Sequence, residues 1–565
     1  MKRLFMLGLA IIAGLHLWAQ TPSTNESAVL ELTSNTPNPF NGWTEAGLTV
    51  TAPGTVNLTL TDAYAGTVKA SCDLLIEPGF HRLRIQASST GLWLLTAVQS
   101  GNISSIKMIC SAAGEADRID YLGLTGPLRT RLAQQPGQPS DSFLATEDTL
   151  AYATPGLRKA SSTPVQSNEK FRVALSLSPF SLNQFQDGYR FEVNGQTATT
   201  PEELQEIYRD LGSTEMYVRI ATKRHVTADN LVDGKEDENA NVHTFDQGIR
   251  LCRIAAALDM PINPEIMCAY TYMDMDRQQA PRFEEYPEVY ALQNGKDWSE
   301  LTIDEICTVL EAYGALVADS ILSTGCTVNN WNLGNEANFG FAGISMGLKT
   351  AVDPKLEKAS TISKYLAPVF ATWWLKKHVW EHNAKAYAAL KKGILSAYEK
   401  NSIDASNVKF STHIATVVFP ARCSASFFKY MAKNGYDMET AGISYYPSAP
   451  SMSLNRKKLL TKTVAKINKK CGVPVFIGEF SYPSGKMDGP FAGWNKKLKG
   501  YEKEQQGQAD IYADVIRWGR HNGLAGIRYW APDYEGWYAM SMFEFANKKG
   551  TAKTILQNHQ EFVNQ

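Results

Sequence analysis

The chain carries no excess of either charge: 56 Lys and Arg stand against 57 Asp and Glu, a formal net charge of −1. Nothing in that balance calls for nucleic acid or an anionic membrane as a partner. Beyond the first twenty residues no apolar run approaches the ~20 residues of a membrane span. Cysteine is also scarce. Eight in 565 residues make no disulfide framework, and none has the Cys-x-x-Cys spacing of a zinc site. Cys72 and Cys110 fall in one domain and are candidates to pair. Cys252, Cys268, Cys307, Cys326, Cys423 and Cys471 lie mostly in apolar runs and read as small buried hydrophobes.

What the chain does have begins with Lys2-Arg3, an apolar stretch from Leu4 to Leu17 and the small Ala19. This reads as a cleaved secretory signal over 1–19. No Cys follows that would take a lipid anchor, so the expectation is a secreted or periplasmic protein, or one held at the cell surface.

A chain of this length predicts more than one domain. Residues 27–115 alternate in short runs such as Val56-Asn57-Leu58-Thr59-Leu60 and Leu92-Trp93-Leu94-Leu95, broken by Gly and Pro, which predicts a small all-β sandwich. From 116 to 168 Pro, Gln, Ser, Thr and Arg dominate without periodicity, as in a linker. The remainder, 169–565, alternates between strand-like and helix-like periods. Strands are predicted at 171–177, 216–221, 262–269, 328–333, 408–414, 441–446, 473–480 and 526–530, with helices such as Trp373–Lys400 between them. Eight strands alternating with helices predict an α/β domain, a (β/α)8 barrel.

Two of those strands end on a carboxyl. Val328–Leu333 runs into Gly334-Asn335-Glu336, and Val473–Ile477 runs into Gly478-Glu479. The carboxyl end of the strands is the catalytic face of such a barrel. Two carboxyls there match glycosidic cleavage, in which one protonates the leaving oxygen while the other attacks or activates water. Wall residues come from the other strand ends: Arg219 on the second, His413 on the fifth, Tyr445 and Tyr446 on the sixth, Trp530 on the eighth. Arg and Tyr beside a nucleophile hold it ionised and oriented, and Asn335 is placed to bind the neighbouring sugar hydroxyl. Trp494, Tyr534 and Trp537, in the loops after strands seven and eight, are candidates for stacking on sugar faces. A competing motif, His378-Val379-Trp380-Glu381-His382, has the His-x-x-Glu-His spacing of some zinc peptidases. No feature nominates the third ligand, and a lysine-rich helix more often carries such histidines on its solvated face.

These residues carry a resemblance. Gly334-Asn335-Glu336 with Gly478-Glu479 is similar to clan A of the glycoside hydrolases. Ser444-Tyr445-Tyr446-Pro447, Gly478-Glu479-Phe480-Ser481-Tyr482-Pro483 and Tyr529-Trp530-Ala531-Pro532 resemble family 53, the endo-β-1,4-galactanases. The resemblance implies that Glu336 is the acid/base and Glu479 the nucleophile of a retaining hydrolase acting on β-1,4-galactan, arabinogalactan or pectin side chains, with no cofactor. The chain departs from the family after the third strand, where Ala269-Tyr270-Thr271-Tyr272-Met273-Asp274 replaces a His-Tyr-Ser-Asp run, and at Ser448, where the family has Trp. A β-glucan or β-mannan specificity on the same machinery, or an inactive barrel that only binds polysaccharide, are the alternatives. The first domain, through Pro37-Asn38-Pro39-Phe40 and Gly91-Leu92-Trp93, resembles type IX secretion sorting domains, although those normally close a chain.

Overall fold

The computed structural model describes residues 30–32, 36–63, 67–126, 171–451 and 455–564. The expected signal and most of the expected linker lie outside these. Two compact units divide the chain, Met1–Gln138 and Pro139–Gln565.

In the first unit nine strands form one hydrogen-bonded sheet. Side chains alternate across a strand, so Gly54–Asp62 buries Val56, Leu58 and Leu60, and Gly91–Gln99 buries Trp93, Leu95 and Ala97. These inward faces share one core with Leu83, Ile85 and Met108. The expected sandwich is therefore built from a single continuous sheet. It runs past the expected boundary at 115, because Arg118–Gly126 pairs antiparallel with Gly79–Gln86. Cys72 and Cys110 are both free thiols, which corrects the candidate pairing. Their strands are separated by two others, about 14 Å at the usual strand spacing and beyond disulfide reach.

The second unit is a barrel of eight parallel strands: β1 (Arg172–Ala174), β2 (Met216–Ile220), β3 (Ile262–Ile266), β4 (Trp331–Leu333), β5 (Phe410–Ala415), β6 (Thr440–Tyr445), β7 (Val475–Phe480) and β8 (Leu524–Tyr529). From β2 to β8 each pairs with its neighbour in sequence, and β1 pairs with β8, which leaves β1 and β2 as the two ends of the sheet. The barrel is nearly closed. Between β1 and β2 hydroxyl side chains stand in for part of the ladder: Val173 N–H donates to Thr214 Oγ1 (2.9 Å), Leu175 N–H to Ser213 Oγ (3.1 Å) and Tyr217 N–H to Ser176 Oγ (3.3 Å).

Helices cover the outside. In α1 (Ile303–Leu322) Thr302 caps the first turn in a reciprocal bond set with Glu305, and Ile306, Leu310, Tyr313 and Val317 form the buried face. The long helix expected over Trp373–Lys400 is interrupted: Thr372–Leu375 passes through a π-turn, Lys376–Trp380, before α2 (Glu381–Lys400). α1 and α2 pack backbone to backbone, since a Cβ on Gly393 would lie 1.9 Å from Glu311 O and one on Gly314 2.4 Å from Leu390 O. Among the described residues no helix is long and apolar enough to cross a membrane.

Candidate active site

At the carboxyl ends of the strands, β4 leaves the barrel through Gly334 (φ +79°) and places Glu336 in the left-handed region (φ +44°). Gly334 has no room for a side chain, because a Cβ would meet the Tyr387 hydroxyl at 2.9 Å and the Phe341 ring at 3.0 Å. A left-handed non-glycine residue costs on the order of 1–3 kcal/mol and persists only where neighbours fix it. Here Ala337 N–H donates to His413 O (3.0 Å), and the Asn338 amide bonds both the N–H (2.7 Å) and the carbonyl (2.9 Å) of Ala415. The turn is thereby pinned to β5. Glu336 Oε2 accepts the Met275 N–H at 3.2 Å.

Glu479, on β7, has a different shell. Arg219 on β2 donates to its Oε1 through Nη2, and the Tyr446 hydroxyl donates to Oε2 at 2.5 Å. His413 Nε2 stands 3.9 Å from Oε1. Arg219 also donates to Asn335 Oδ1 (3.1 Å), and its guanidinium lies 4.1 Å from the centre of the Trp530 ring. Asn335 in turn donates to Met273 O at 2.6 Å.

The two carboxyls are driven apart in acidity. Burial first, then the charges of Glu479 and Asp274, push Glu336 well above the usual carboxylate range. Burial opposes ionisation of Glu479 as well, but Arg219 and Arg528 and the Tyr446 hydroxyl outweigh it and hold its pKa below the ordinary value. Of the two, Glu336 therefore keeps its proton to higher pH and Glu479 is the first to ionise. Burial keeps His413 neutral.

Of the residues expected in the wall, Arg219, Asn335, His413, Tyr446 and Trp530 meet at the carboxyls. Tyr445 does not. It precedes Tyr446 by one residue and so points to the opposite side of its strand, where it packs against Phe480 and donates to Arg456 O (3.3 Å). Trp494 and Trp537 join Tyr446 and Phe491 in an aromatic cluster beside Glu479, with Trp494 5.1 Å and Trp537 6.1 Å from the Tyr446 ring. Trp494 remains part-exposed, whereas Trp537 is buried. Tyr534 has one face covered by Phe180 at 3.7 Å, so it packs its loop.

Sequence reasoning missed Glu265 and Arg528. Each is an ion inside an apolar strand run, and that contradiction with burial was the available signal. It also missed Asp274, whose carboxylate accepts from the backbone of Asp276 (2.7 Å) and Arg277 (2.6 Å) near Glu336. The zinc motif is resolved differently from the solvated face expected for it. His378 is buried, bonded to Asp353 at 2.6 Å and set against Trp374. Among the described residues no three His, Cys, Asp or Glu side chains could hold a metal.

Residues 291–562 match the model of glycosyl hydrolase family 53. The match covers just under half of the chain and makes its barrel a family 53-like glycoside hydrolase domain. Both glutamates of the glycosidase barrel lie inside the matched span, while Arg219 and Glu265 precede it. No curated protein matches the chain. Among solved structures, that of fungal β-1,4-galactanases aligns at 17% identity with TM-score 0.48, over 69% of this chain and 99% of that one. A family 53 catalytic domain from Ignisphaera aggregans aligns at 17% identity with TM-score 0.49, over 71% and 98%. A β-1,4-mannanase of family 113 aligns at 14% identity with TM-score 0.34, over 70% and 98%.

Proposed function

We propose that this barrel hydrolyses β-1,4-galactan, or the galactan side chains of arabinogalactan and pectin, with retention of configuration. The observation that carries the mechanism is the pair of buried carboxyls in unlike shells: Arg219 and Tyr446 donate to Glu479 and favour its carboxylate, whereas Glu336 accepts one backbone N–H and is pushed toward the acid form. Glu479 attacks the anomeric carbon as the glycosidic C–O bond breaks, and the departing oxygen takes the proton of Glu336. Water then gives a proton to Glu336 and attacks the same carbon, and the Glu479 carboxylate leaves. Arg219 and Tyr446 orient the attacking carboxylate, and Asn335 is placed for the adjacent hydroxyl. Trp530 floors the reacting subsite, and Trp494 and Trp537 flank the sugars beside it. We further infer that the enzyme acts outside the cytoplasm, from the apolar N-terminal stretch.

The substrate rests on the Ser-Tyr-Tyr-Pro and Gly-Glu-Phe-Ser-Tyr-Pro segments and on the family match. Reducing-sugar release from β-1,4-galactan, β-glucan and β-mannan tests it. Galactan cleaved first is the expected result. Cleavage of glucan or mannan alone would overturn the specificity and leave the carboxylate roles standing. No release from any glycan, with galactan still bound, would mark a binding protein. NMR early in hydrolysis should show the β-anomer; an initial α-anomer would refute retention.

A further inference from the structure

Beneath the reacting carboxyls the barrel interior holds two more ions. Glu265, on β3, is fully buried; it pairs with Arg219 Nε, accepts from Asn332 Nδ2 (3.1 Å) and lies 3.4 Å from His413 Nδ1. Arg528, on β8, is also buried. Its guanidinium is stacked 3.8 Å from the centre of the Tyr217 ring and 4.7 Å from that of Trp530. Its Nη1 has no hydrogen-bond partner and stands 4.0 Å from Glu265 Oε2. At Nη1, then, Arg528 faces Glu265 as a charge and not through a hydrogen bond.

The groups facing this cluster come from every strand except β1. They are Tyr217 and Arg219 on β2, Glu265 on β3, Glu336 after β4, His413 on β5, Tyr446 after β6, Glu479 on β7 and Arg528 on β8, with His243, Tyr272 and Asp274 from the loops. Asp274 sits at the part-exposed rim with its own backbone donors. His243, like His413, is kept neutral by burial. In the interior, Arg219 and Arg528 balance Glu265 and Glu479 only while Glu336 keeps its proton.

We propose that Glu265 and Arg528 are positioning residues for glycoside cleavage: Glu265 clamps Arg219 and His413 beneath the Glu479 carboxylate, and Arg528 is the counter-charge that keeps the cluster neutral in the resting enzyme. The proposal rests on the assignment of Glu336 and Glu479. Glu265 meets Arg219 at Nε as a charge contact, without a hydrogen bond, while Nη2 donates to both Glu479 and Asn335. When Glu479 forms its bond to the sugar, one negative charge disappears from the interior. The unbalanced positive charge then favours a carboxylate at Glu336, which is the form that must follow proton donation.

The test is the pH dependence of kcat/KM on the soluble β-glycan that the wild type cleaves. Removing the cation in Arg528→Gln makes both carboxylates harder to form, so both limbs of the profile should move up by about one pH unit. Glu265→Gln removes an anion and should move both limbs down. The double variant should restore the wild-type limbs, and Arg528→Lys, which keeps the charge, should leave them in place at reduced rate. Folded single variants that are slower but unshifted would overturn the proposal. If the singles do not fold, the charge-balanced double variant decides: it must fold and keep the wild-type limbs, and a displaced profile or an unfolded protein counts against us. Activity surviving in Glu479→Gln would instead remove the underlying assignment, whatever the limbs do.

Discussion

Glu336 and Glu479 are the same residue type given different work by their neighbours. Glu336 accepts one backbone N–H and faces two other carboxylates, while Glu479 has an arginine and a tyrosine hydroxyl. Activity should therefore fall on both sides of a pH optimum. On the acid side Glu479 gains a proton as pH drops through its depressed pKa; on the alkaline side Glu336 loses its proton as pH rises through its elevated one. Glu336→Gln and Glu479→Gln should each lower kcat by at least about 10²- to 10⁴-fold with circular dichroism unchanged. Wild-type turnover in either would remove that residue from the mechanism. Both carboxyls were legible because each ends a strand-like run at a Gly-Glu or Gly-Asn-Glu. Tyr445 was not, because two adjacent tyrosines on a strand face opposite ways and only the register tells which one looks inward. Glu265 and Arg528 were hidden for another reason: hydrophobic periodicity averages over a single ion.

At the scale of elements, all eight strands were readable, since strands buried on both faces form continuous apolar runs. The π-turn at Lys376–Trp380 was not, because one extra residue in a turn barely disturbs the helical period over so long a helix. The α1–α2 crossing depends on Gly314 and Gly393. Gly393→Ala should lower stability by roughly 1–3 kcal/mol, as overpacking of a tight contact does, and reduce Tm without altering the pH profile. An unchanged Tm would mean that the helices can separate at little cost. The loops after β7 and β8 make a different prediction. Trp494→Ala and Trp537→Ala should weaken binding of polymer, measured by affinity electrophoresis, more than they slow a small aryl glycoside. Equal effects on both would make the pair simple loop packing.

For the molecule as a whole, every residue placed at the site lies in the second unit. Deleting residues 20–138 should leave kcat/KM on soluble oligosaccharides within about twofold, because the barrel has its own core. Loss of active protein on truncation would show that the first unit is part of the barrel's stability. The barrel itself is not uniform around its circumference. Where β1 meets β2, alcohols of Ser176, Ser213 and Thr214 take backbone bonds that elsewhere run between peptides. Water competes for a hydroxyl more readily than for a ladder carbonyl, so opening fluctuations should begin at this joint. In hydrogen–deuterium exchange the amides of Val173, Leu175 and Tyr217 should take up deuterium sooner than those of β6 and β7. The joint lies one strand beyond the β7–β8 pair, so its opening would be felt at Glu479 through Arg219, which stands on β2 and donates to that carboxylate.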